Sequence, residues 1–202
     1  MYKIYGMSAS GNCIKVKMLL DYLGLTYKWR EVDILKGESR TPDFLAMNPI
    51  GRVPTLEIEA GVYLPESNAI LYYLAEGTPY WPRERLARAH VLKWMFFEQY
   101  NHEPYLAVAR FIKLFLPADH ARHAELPRLH ERGYQALDIM EQHLTTHAFF
   151  GGDDFTIADI ALYPYTARAH SGGFSLDNYP DVRAWLERVE SQPGFVAWDY
   201  EG

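Results

Sequence analysis

The chain of 202 residues is 49% hydrophobic and 23% charged, so it is long and apolar enough to bury one large core or two small ones. A largely disordered chain is therefore excluded. The formal net charge of −6 would repel nucleic acid and anionic membrane surfaces, so we expect neither as a partner.

Cysteine usage and the lengths of the apolar runs indicate the compartment. Cys13 is the only cysteine, so no disulfide can form within the chain, as expected in a reducing cytoplasm. Residues 1–6 lack the apolar core of a secretory signal, and no run approaches the roughly 18 apolar residues of a membrane span. We therefore predict a soluble, cytoplasmic protein.

In residues 1–76, short β-type runs alternate with helical patterns. The predicted elements are a strand Tyr2–Tyr5, a helix from about Asn12 to Leu23, a strand Tyr27–Asp33, a short helix Pro42–Ala46, strands Pro54–Ile58 and Val62–Leu64, and a helix from about Ser67 to Ala75. The first crossover makes a parallel pair, and a turn at Ala60-Gly61 joins an antiparallel pair. We predict a βαβαββα domain with a mixed sheet.

Residues 77–83 are rich in proline and glycine and predict a linker, after which every pattern is helical. The predicted helices are Glu84–Leu116 with Pro104 inside it, His123–Thr145, Thr156–Ala169 and Pro180–Ser191. Residues 84–202 are therefore predicted to form an all-α domain, which makes the fold class α/β plus all-α.

The start of the third of these helices carries a capping pattern. Thr156 is the predicted N-cap and Asp159 its capping-box partner, in place of the usual glutamate. Phe155 and Ile160 are spaced as the hydrophobic staple of the same motif. This cap is predicted to be structural.

The most informative segment, Ser10-Gly11-Asn12-Cys13, joins the first strand to the first helix. A thioredoxin-like fold carries its Cys-x-x-Cys redox pair at this junction. The first position here is Ser10, whose hydroxyl exchanges no disulfide but can donate a hydrogen bond to a thiolate brought by a ligand. Two alternatives are that Ser10 only caps the helix and that nearby Ser8 is the donor. Cys13 is either a small buried hydrophobe or a nucleophile for thiol–disulfide exchange.

Two further junctions favour peptide binding. A proline at the start of a strand, Pro54, is compatible with a cis bond that would leave the main chain of Val53 to pair with an extended peptide. Glu66 and Ser67 lie at a helix start, where amide groups and a hydroxyl bind an anion and the carboxylate binds a cation. The alternative for Val53-Pro54 is an ordinary strand start, and the alternative for Glu66-Ser67 is an ordinary capped helix. Together with Ser10 they predict a site for a peptide with a thiol and a free α-amino acid end.

In this order and spacing, these motifs resemble the cytosolic glutathione transferase family. The resemblance covers nearly the whole chain, because Asn48-Pro49, Val53-Pro54 and Glu66-Ser67 match the first half and Thr156-x-x-Asp159 matches the second. It implies a thioredoxin-like domain followed by a helical one, with glutathione as co-substrate. It also points to the serine-type, theta-like bacterial members, or else to beta-class members, in which the position of Ser10 is a cysteine.

The resemblance implies a role for individual residues of the first domain. Ser10 would activate the thiol, and the main chain of Val53 would pair with the cysteinyl part of glutathione. Pro54 would be the family's cis-proline, and Glu66 and Ser67 would hold the γ-glutamyl end.

The glycine carboxylate of glutathione would meet Arg52, with Lys36 or Arg40 helping from the preceding loop. Family members often carry histidine or lysine in that loop, and residues 36–40 show serine where histidine is frequent. Which of the three cations binds the carboxylate stays open.

An apolar electrophile is expected between the loop from Met7 to Ser10 and the long helix of the second half, with Tyr105 and Val108 on one helix face. The bound thiolate would attack its electrophilic carbon. Arg110, five residues past Tyr105, is expected to point elsewhere.

A hydrogen bond and a helix terminus are strong enough to activate the thiol. Lowering a thiol pKa from about 8.5 by two units requires roughly 2.7 kcal/mol. A hydroxyl bonded to a charged acceptor contributes about 1.5 to 3 kcal/mol and a helix terminus about 0.3 to 2 kcal/mol. No metal is required, and His120, His123 and His130 are interpreted as part of a solvated connection.

Two classes of function remain. One is a glutathione transferase, or a related glutathione-dependent isomerase or peroxidase. The other is a glutathione-binding scaffold with little turnover, since one fold hosts many functions. The resemblance further implies a homodimer formed by the helix at Ser67 and the helix after Glu84.

Overall fold

The computed structural model describes residues 1–199, which divide into two compact units. Unit 1 holds Met1–Thr78 together with the described residues from Pro193 onward, and unit 2 holds Pro79–Gln192. The chain thus changes unit inside the predicted linker. The predicted helical domain 84–202 differs at its end, because residues 193–199 are irregular and pack with unit 1, and its last residues, 200–202, lie outside the described residues.

Within unit 1, the described strands form one mixed sheet of four strands in the order β2-β1-β3-β4. The strands are β1 Tyr2–Gly6, β2 Tyr27–Glu31, β3 Thr55–Glu59 and β4 Val62–Pro65. β1 runs parallel to β2 and antiparallel to β3, which is itself antiparallel to β4. This arrangement confirms the predicted mixed sheet.

Three helices complete unit 1: α1 Gly11–Tyr22, α2 Pro42–Met47 and α3 Ser67–Ala75. α1 packs against α3, and Leu19 and Leu71 are fully buried. Strand β2 ends two residues before the predicted Asp33, because the Asp33 carboxylate accepts hydrogen bonds from the amides of Leu35 and Lys36 and starts a 3-10 turn instead. The predicted order of elements is confirmed.

Unit 2 is helical, as predicted. Its helices are α4 Arg85–Phe97, α5 Glu103–Phe115, α6 Leu126–Leu144, α7 Ile157–Ala167 and α8 Pro180–Glu190. The single helix predicted over Glu84–Leu116 is wrong in one respect, because a π-helical turn, Glu98–His102, separates α4 from α5. Pro104 explains this turn, since a proline has no N–H for the helical ladder and its ring clashes with the preceding turn.

The predicted capping box at the start of α7 is confirmed. The Thr156 hydroxyl accepts a hydrogen bond from the Ala158 amide at 3.3 Å, and the Asp159 carboxylate accepts one from the Thr156 amide at 2.9 Å. α6 begins at Leu126 rather than at the predicted His123, because residues 121–125 form a 3-10 turn. Among residues 1–199, no helix has the length and apolar character needed to cross a membrane.

Candidate functional site

The strand register brings the three predicted motifs to one end of the sheet. Tyr5, near the end of β1, pairs with Thr55, the first residue of β3, and Thr55 pairs with Pro65, the last residue of β4. The chain leaving β1 toward Ser10, the chain entering β3 and the chain leaving β4 toward Glu66 therefore pass the same edge. This backbone arrangement makes the edge the candidate glutathione site.

Ser10 occupies the N-cap position of α1 with extended backbone angles, φ −94° and ψ 119°. Its carbonyl accepts hydrogen bonds from the amides of Cys13 and Ile14, both at 3.0 Å. Within the described residues, however, its hydroxyl forms no capping bond to a main-chain amide of the helix. The alternative in which the Ser10 side chain only caps the helix therefore does not hold in this structure.

Cys13 is fully buried one turn below this position. Burial raises the pKa of the Cys13 thiol to about 12, although hydrogen bonds from the Ser10 side chain and the Met7 amide favour the thiolate. The Met7 amide lies 3.4 Å from the Cys13 sulfur. Since thiol–disulfide exchange needs an accessible thiolate, the geometry favours the structural interpretation of Cys13.

We expect Cys13 in the folded protein to resist Ellman's reagent at neutral pH and to react fully once the chain is unfolded in guanidinium. The reason is that the buried thiol is both protonated and shielded from the reagent. Absorbance of the released thiolate measures both reactions. Rapid labelling of the folded protein, or loss of glutathione-dependent activity in Cys13→Ala, would instead support thiol–disulfide exchange.

Ser8, the rival donor, already donates its hydroxyl hydrogen. That hydroxyl lies 2.7 Å from one carboxylate oxygen of Glu31, and the Ser8 amide donates to the other oxygen at 2.9 Å. Partial burial opposes ionisation of Glu31, but hydrogen bonds from Trp29 and Ser8 outweigh it and hold the pKa of Glu31 below its ordinary value. A hydroxyl has one hydrogen to donate, and that of Ser8 goes to a charged carboxylate whereas the Ser10 side chain bonds the neutral Cys13 thiol, a weaker acceptor that a ligand thiolate can replace. Ser10 as the thiolate donor stays a prediction.

The loop that leads into β3 is organised by Asn48, whose role the sequence analysis missed. Asn48 is 1% exposed, and its side-chain amide donates to the Arg52 carbonyl at 2.8 Å and to the Thr55 hydroxyl at 3.0 Å. Its side-chain oxygen accepts from the Ile50 amide at 3.1 Å. The Asn48-Pro49 pair was the available signal, since asparagine often bonds the main chain two residues on. These contacts hold the segment that carries Val53.

We expect Asn48→Ala to lower the free energy of unfolding by about 1 to 3 kcal/mol, because it leaves the buried partners of the lost amide unsatisfied. The KM for glutathione should rise more than kcat falls, because the loop is predicted to bind the peptide and to take no part in the chemistry. Urea unfolding and initial rates measure the two effects. Asn178→Ala is the control for loss of an asparagine, because Asn178 is exposed in unit 2. An unchanged KM in Asn48→Ala would contradict this role.

The peptide bond between Val53 and Pro54 is cis, the isomer that the resemblance implies. Pro54 is buried and Val53 is half-buried, immediately before β3 begins. Pairing of the Val53 main chain with glutathione stays a prediction.

Glu66 and Ser67 lie where β4 passes into α3. Glu66 has φ +71°, a conformation that residues other than glycine rarely adopt and that occurs at ligand sites. The Ser67 hydroxyl lies 3.4 Å from the side-chain oxygen of Asn12 in the first turn of α1. Lys15, fully buried and also missed by the sequence analysis, donates to that same oxygen at 2.7 Å. The starts of α1 and α3 therefore lie together.

The candidate cations for the glycine carboxylate have different partners in the structure. Arg40 donates to the Ile50 carbonyl at 3.0 Å, which places its guanidinium on the same loop as Arg52. Lys36 instead forms an ion pair with Asp33 at 3.0 Å within its own 3-10 turn. Arg40 is thus attached to the loop of Arg52, and Lys36 is not.

The residues predicted to bind the electrophile belong to different units. Met7 is buried in unit 1, directly before Ser8. Tyr105 and Val108 are half-buried on α5 of unit 2. Arg110, excluded from the site by the sequence analysis, is buried. Binding of an electrophile by Met7, Tyr105 and Val108 stays a prediction.

Among residues 1–199, no group of at least three histidine, cysteine, aspartate or glutamate side chains is arranged to hold a metal ion.

Both halves of the chain match known families. Residues 1–76 match the family model of the glutathione S-transferase N-terminal domain, and residues 123–188 match that of the glutathione S-transferase C-terminal domain. Glutathione S-transferase 3 of Zea mays is 34% identical, over 96% of this chain and 90% of the maize protein.

Solved structures are similar over the same extent. The crystal structure of a glutathione S-transferase from Pseudomonas fluorescens Pf-5 has a TM-score of 0.95 and 52% identity, covering 98% of this chain and 99% of that one. A glutathione transferase family member from the same bacterium, solved with two glutathione bound, has a TM-score of 0.84 and 26% identity, covering 96% of this chain and 89% of that one.

Proposed function

We propose that this chain, which belongs to the glutathione S-transferase family, transfers the thiolate of glutathione to small apolar electrophiles and is a serine-type, theta-like member. The observation that carries the proposal is the Ser10 hydroxyl at the start of α1, which it does not cap. The chain reaches Ser10 from the same edge of the sheet at which the Val53-Pro54 junction enters β3 and the Glu66-Ser67 junction leaves β4. The structure of a related protein with two glutathione bound supports glutathione as the co-substrate.

In the proposed reaction, the thiol of bound glutathione loses its proton to solvent and the Ser10 O–H donates to the resulting thiolate. A charged sulfur is a stronger acceptor than the neutral Cys13 thiol, so the hydroxyl rotates from Cys13 to the ligand. The sulfur lone pair then forms a bond to the electrophilic carbon, and the leaving group departs with its electron pair. Proximity supplies the remaining rate acceleration.

The proposed contacts to glutathione follow the edge of the sheet. The main chain of Val53 pairs with the cysteinyl part, and Glu66 and Ser67 hold the γ-glutamyl end. Arg52 binds the glycine carboxylate, with Arg40 from the same loop in the supporting role. Lys36 is the weaker candidate because its ammonium is paired with Asp33.

Residues 1–76 are the proposed glutathione-binding domain, and the helical domain after the 77–83 linker is proposed to supply Tyr105 and Val108, with Met7, for the apolar electrophile. We further propose a cytoplasmic homodimer that acts in detoxification. Support for the dimer comes from large apolar side chains exposed on α3 and α4, namely Tyr72, Tyr73, Leu86 and Phe96. Sedimentation at twice the 23.4 kDa of one chain tests it.

Titration with glutathione at neutral pH, followed by the ultraviolet absorbance of its thiolate, tests the proposed function. A transferase binds glutathione, shows that absorbance below the pH where free thiols ionise, and conjugates chlorodinitrobenzene. A scaffold binds glutathione without the absorbance and without turnover. Cumene hydroperoxide and an isomerisable maleyl ester in the same panel identify peroxidase or isomerase activity, and absence of glutathione binding would overturn the proposal altogether.

A further inference from the structure

The described end of the chain returns to the loop that carries Ser10. Residues 193–199 pack with unit 1, and the ring of Trp198 is 8% exposed. The Trp198 indole N–H donates a hydrogen bond of 2.9 Å to the Ser8 carbonyl. A residue near the end of the described chain is thereby attached to the loop between β1 and α1.

Ser8 is held from its other side by strand β2. Its amide and hydroxyl both donate to the Glu31 carboxylate, and the Trp29 indole donates to the same carboxylate at 2.6 Å. The three polar groups of Ser8 are thus bonded to two elements that are distant from it in sequence. Glu31 fixes the amide side of Ser8, and Trp198 fixes its carbonyl.

This attachment bears directly on Ser10. The Ser10 amide donates to the Met7 carbonyl at 2.9 Å, so Met7 to Ser10 form one tight turn with Ser8 inside it. Rotation of the peptide unit after Ser8 would turn Ala9, which is buried, and would move the Ser10 hydroxyl. A displacement of about 1 Å at a catalytic group is enough to lower a rate substantially.

Close packing is not the only interaction that holds residues 193–199, the tail, against unit 1. A cavity of about 270 Å³ lies beside it, lined on the tail side by residues 196–199 and on the other side by Ser8 and Trp29, with residues of α1. Because Trp198 lines this cavity, its indole hydrogen bond adds a directional constraint on the Ser8 carbonyl to the packing of the tail.

We propose that Trp198 is a positioning residue for the reaction, holding the Ser8 carbonyl so that the Ser10 hydroxyl is directed at the sulfur of bound glutathione. The proposal rests on the proposed function. Trp198 acts through Ser8 and the turn and does not touch the substrate. Residues 193–199 therefore contribute, through Trp198, to the ionisation of the thiol.

The test compares Trp198→Phe, which keeps an aromatic ring and removes the N–H, with Val196→Ala on the same tail. Val196 is 46% exposed and lines the same cavity. In Trp198→Phe we expect kcat with glutathione and chlorodinitrobenzene to fall about three- to tenfold, as for the loss of one neutral hydrogen bond. The pH midpoint of bound thiolate absorbance should rise, whereas the KM for glutathione should change little. Val196→Ala should match the unsubstituted chain.

A readout without glutathione separates this proposal from the proposed function. Hydrogen exchange of the peptide spanning residues 7–12 should be faster in ligand-free Trp198→Phe than in Val196→Ala. An unchanged thiolate midpoint and unchanged exchange in a folded Trp198→Phe would overturn the positioning role, as would a lower melting temperature with an unchanged midpoint. Failure of the unsubstituted chain to bind glutathione would overturn the proposed function, whatever the exchange data show.

Discussion

Replacement of Ser10 by alanine is expected to lower kcat/KM for conjugation at pH 7 by about 10- to 100-fold. The change removes a hydroxyl bonded to a charged sulfur, a contact that contributes about 1.5 to 3 kcal/mol. The pKa of the bound thiol should rise accordingly, so that less of it is ionised at neutral pH. The loss should shrink as pH rises, since solvent then removes the proton without help. Rates over a range of pH and the thiolate absorbance measure both effects.

Two matched variants make this expectation specific. Ser10→Thr keeps the hydroxyl and should retain much more activity than Ser10→Ala. Ser8→Ala removes a neighbouring hydroxyl that is already bonded to Glu31, so it should cost far less than Ser10→Ala. If Ser8→Ala raised the thiol pKa and Ser10→Ala did not, the assignment of Ser10 would be wrong.

Replacement of Asp159 by alanine is expected to lower the free energy of unfolding by about 3 to 5 kcal/mol. One carboxylate oxygen accepts from the Phe150 amide at 2.9 Å and from the Trp185 indole at 3.0 Å. The other accepts from the Thr156 amide at 2.9 Å and from the Thr156 hydroxyl at 3.2 Å. Removing the carboxylate leaves these buried donors unsatisfied and disconnects the start of α7 from α8.

Urea unfolding followed by far-ultraviolet circular dichroism measures this loss, with Asp154→Asn as the control because Asp154 is exposed in the same loop. Asp159→Asn should also be destabilising, because the NH2 group of asparagine is a donor and would face groups that are themselves donors. If Asp159→Ala gave no soluble folded protein, Asp159→Asn would still measure the loss of unfolding free energy. A change below 1 kcal/mol in both variants would contradict the importance of this carboxylate.

The fold could largely be predicted because its signals are local. The alternation of β1, α1 and β2 gives a parallel crossover, and the turn before Val62 gives an antiparallel hairpin. The capping pattern Thr156-x-x-Asp159 likewise fixes the start of α7 within a few residues. Pro104 lies inside the single helix predicted over Glu84–Leu116, and the structure divides that helix just before it with the π-helical turn Glu98–His102.

Parts of the candidate site depend on contacts that no local pattern contains. The sequence favours Ser10 over Ser8 only by its position at the start of the first helix, and the bond from the Ser8 hydroxyl to Glu31, 23 residues away, exists only in the packed chain. The same holds for Lys36 and Arg40, which are both loop cations until one is found paired with Asp33 and the other bonded to the loop of Arg52.

The sequence by itself determined the order of the elements, the capping of α7 and the three junctions whose chemistry suits a thiol peptide, because each depends on residues within a few positions of one another. Only the tertiary structure decided how deeply Cys13 is buried and that the Ser8 hydroxyl is bonded to the Glu31 carboxylate. The hydrogen bond between Trp198 and Ser8, which are 190 residues apart, is likewise visible only in the tertiary structure. Burial and long-range hydrogen bonds are properties of the packed chain, since they arise when separate elements come together.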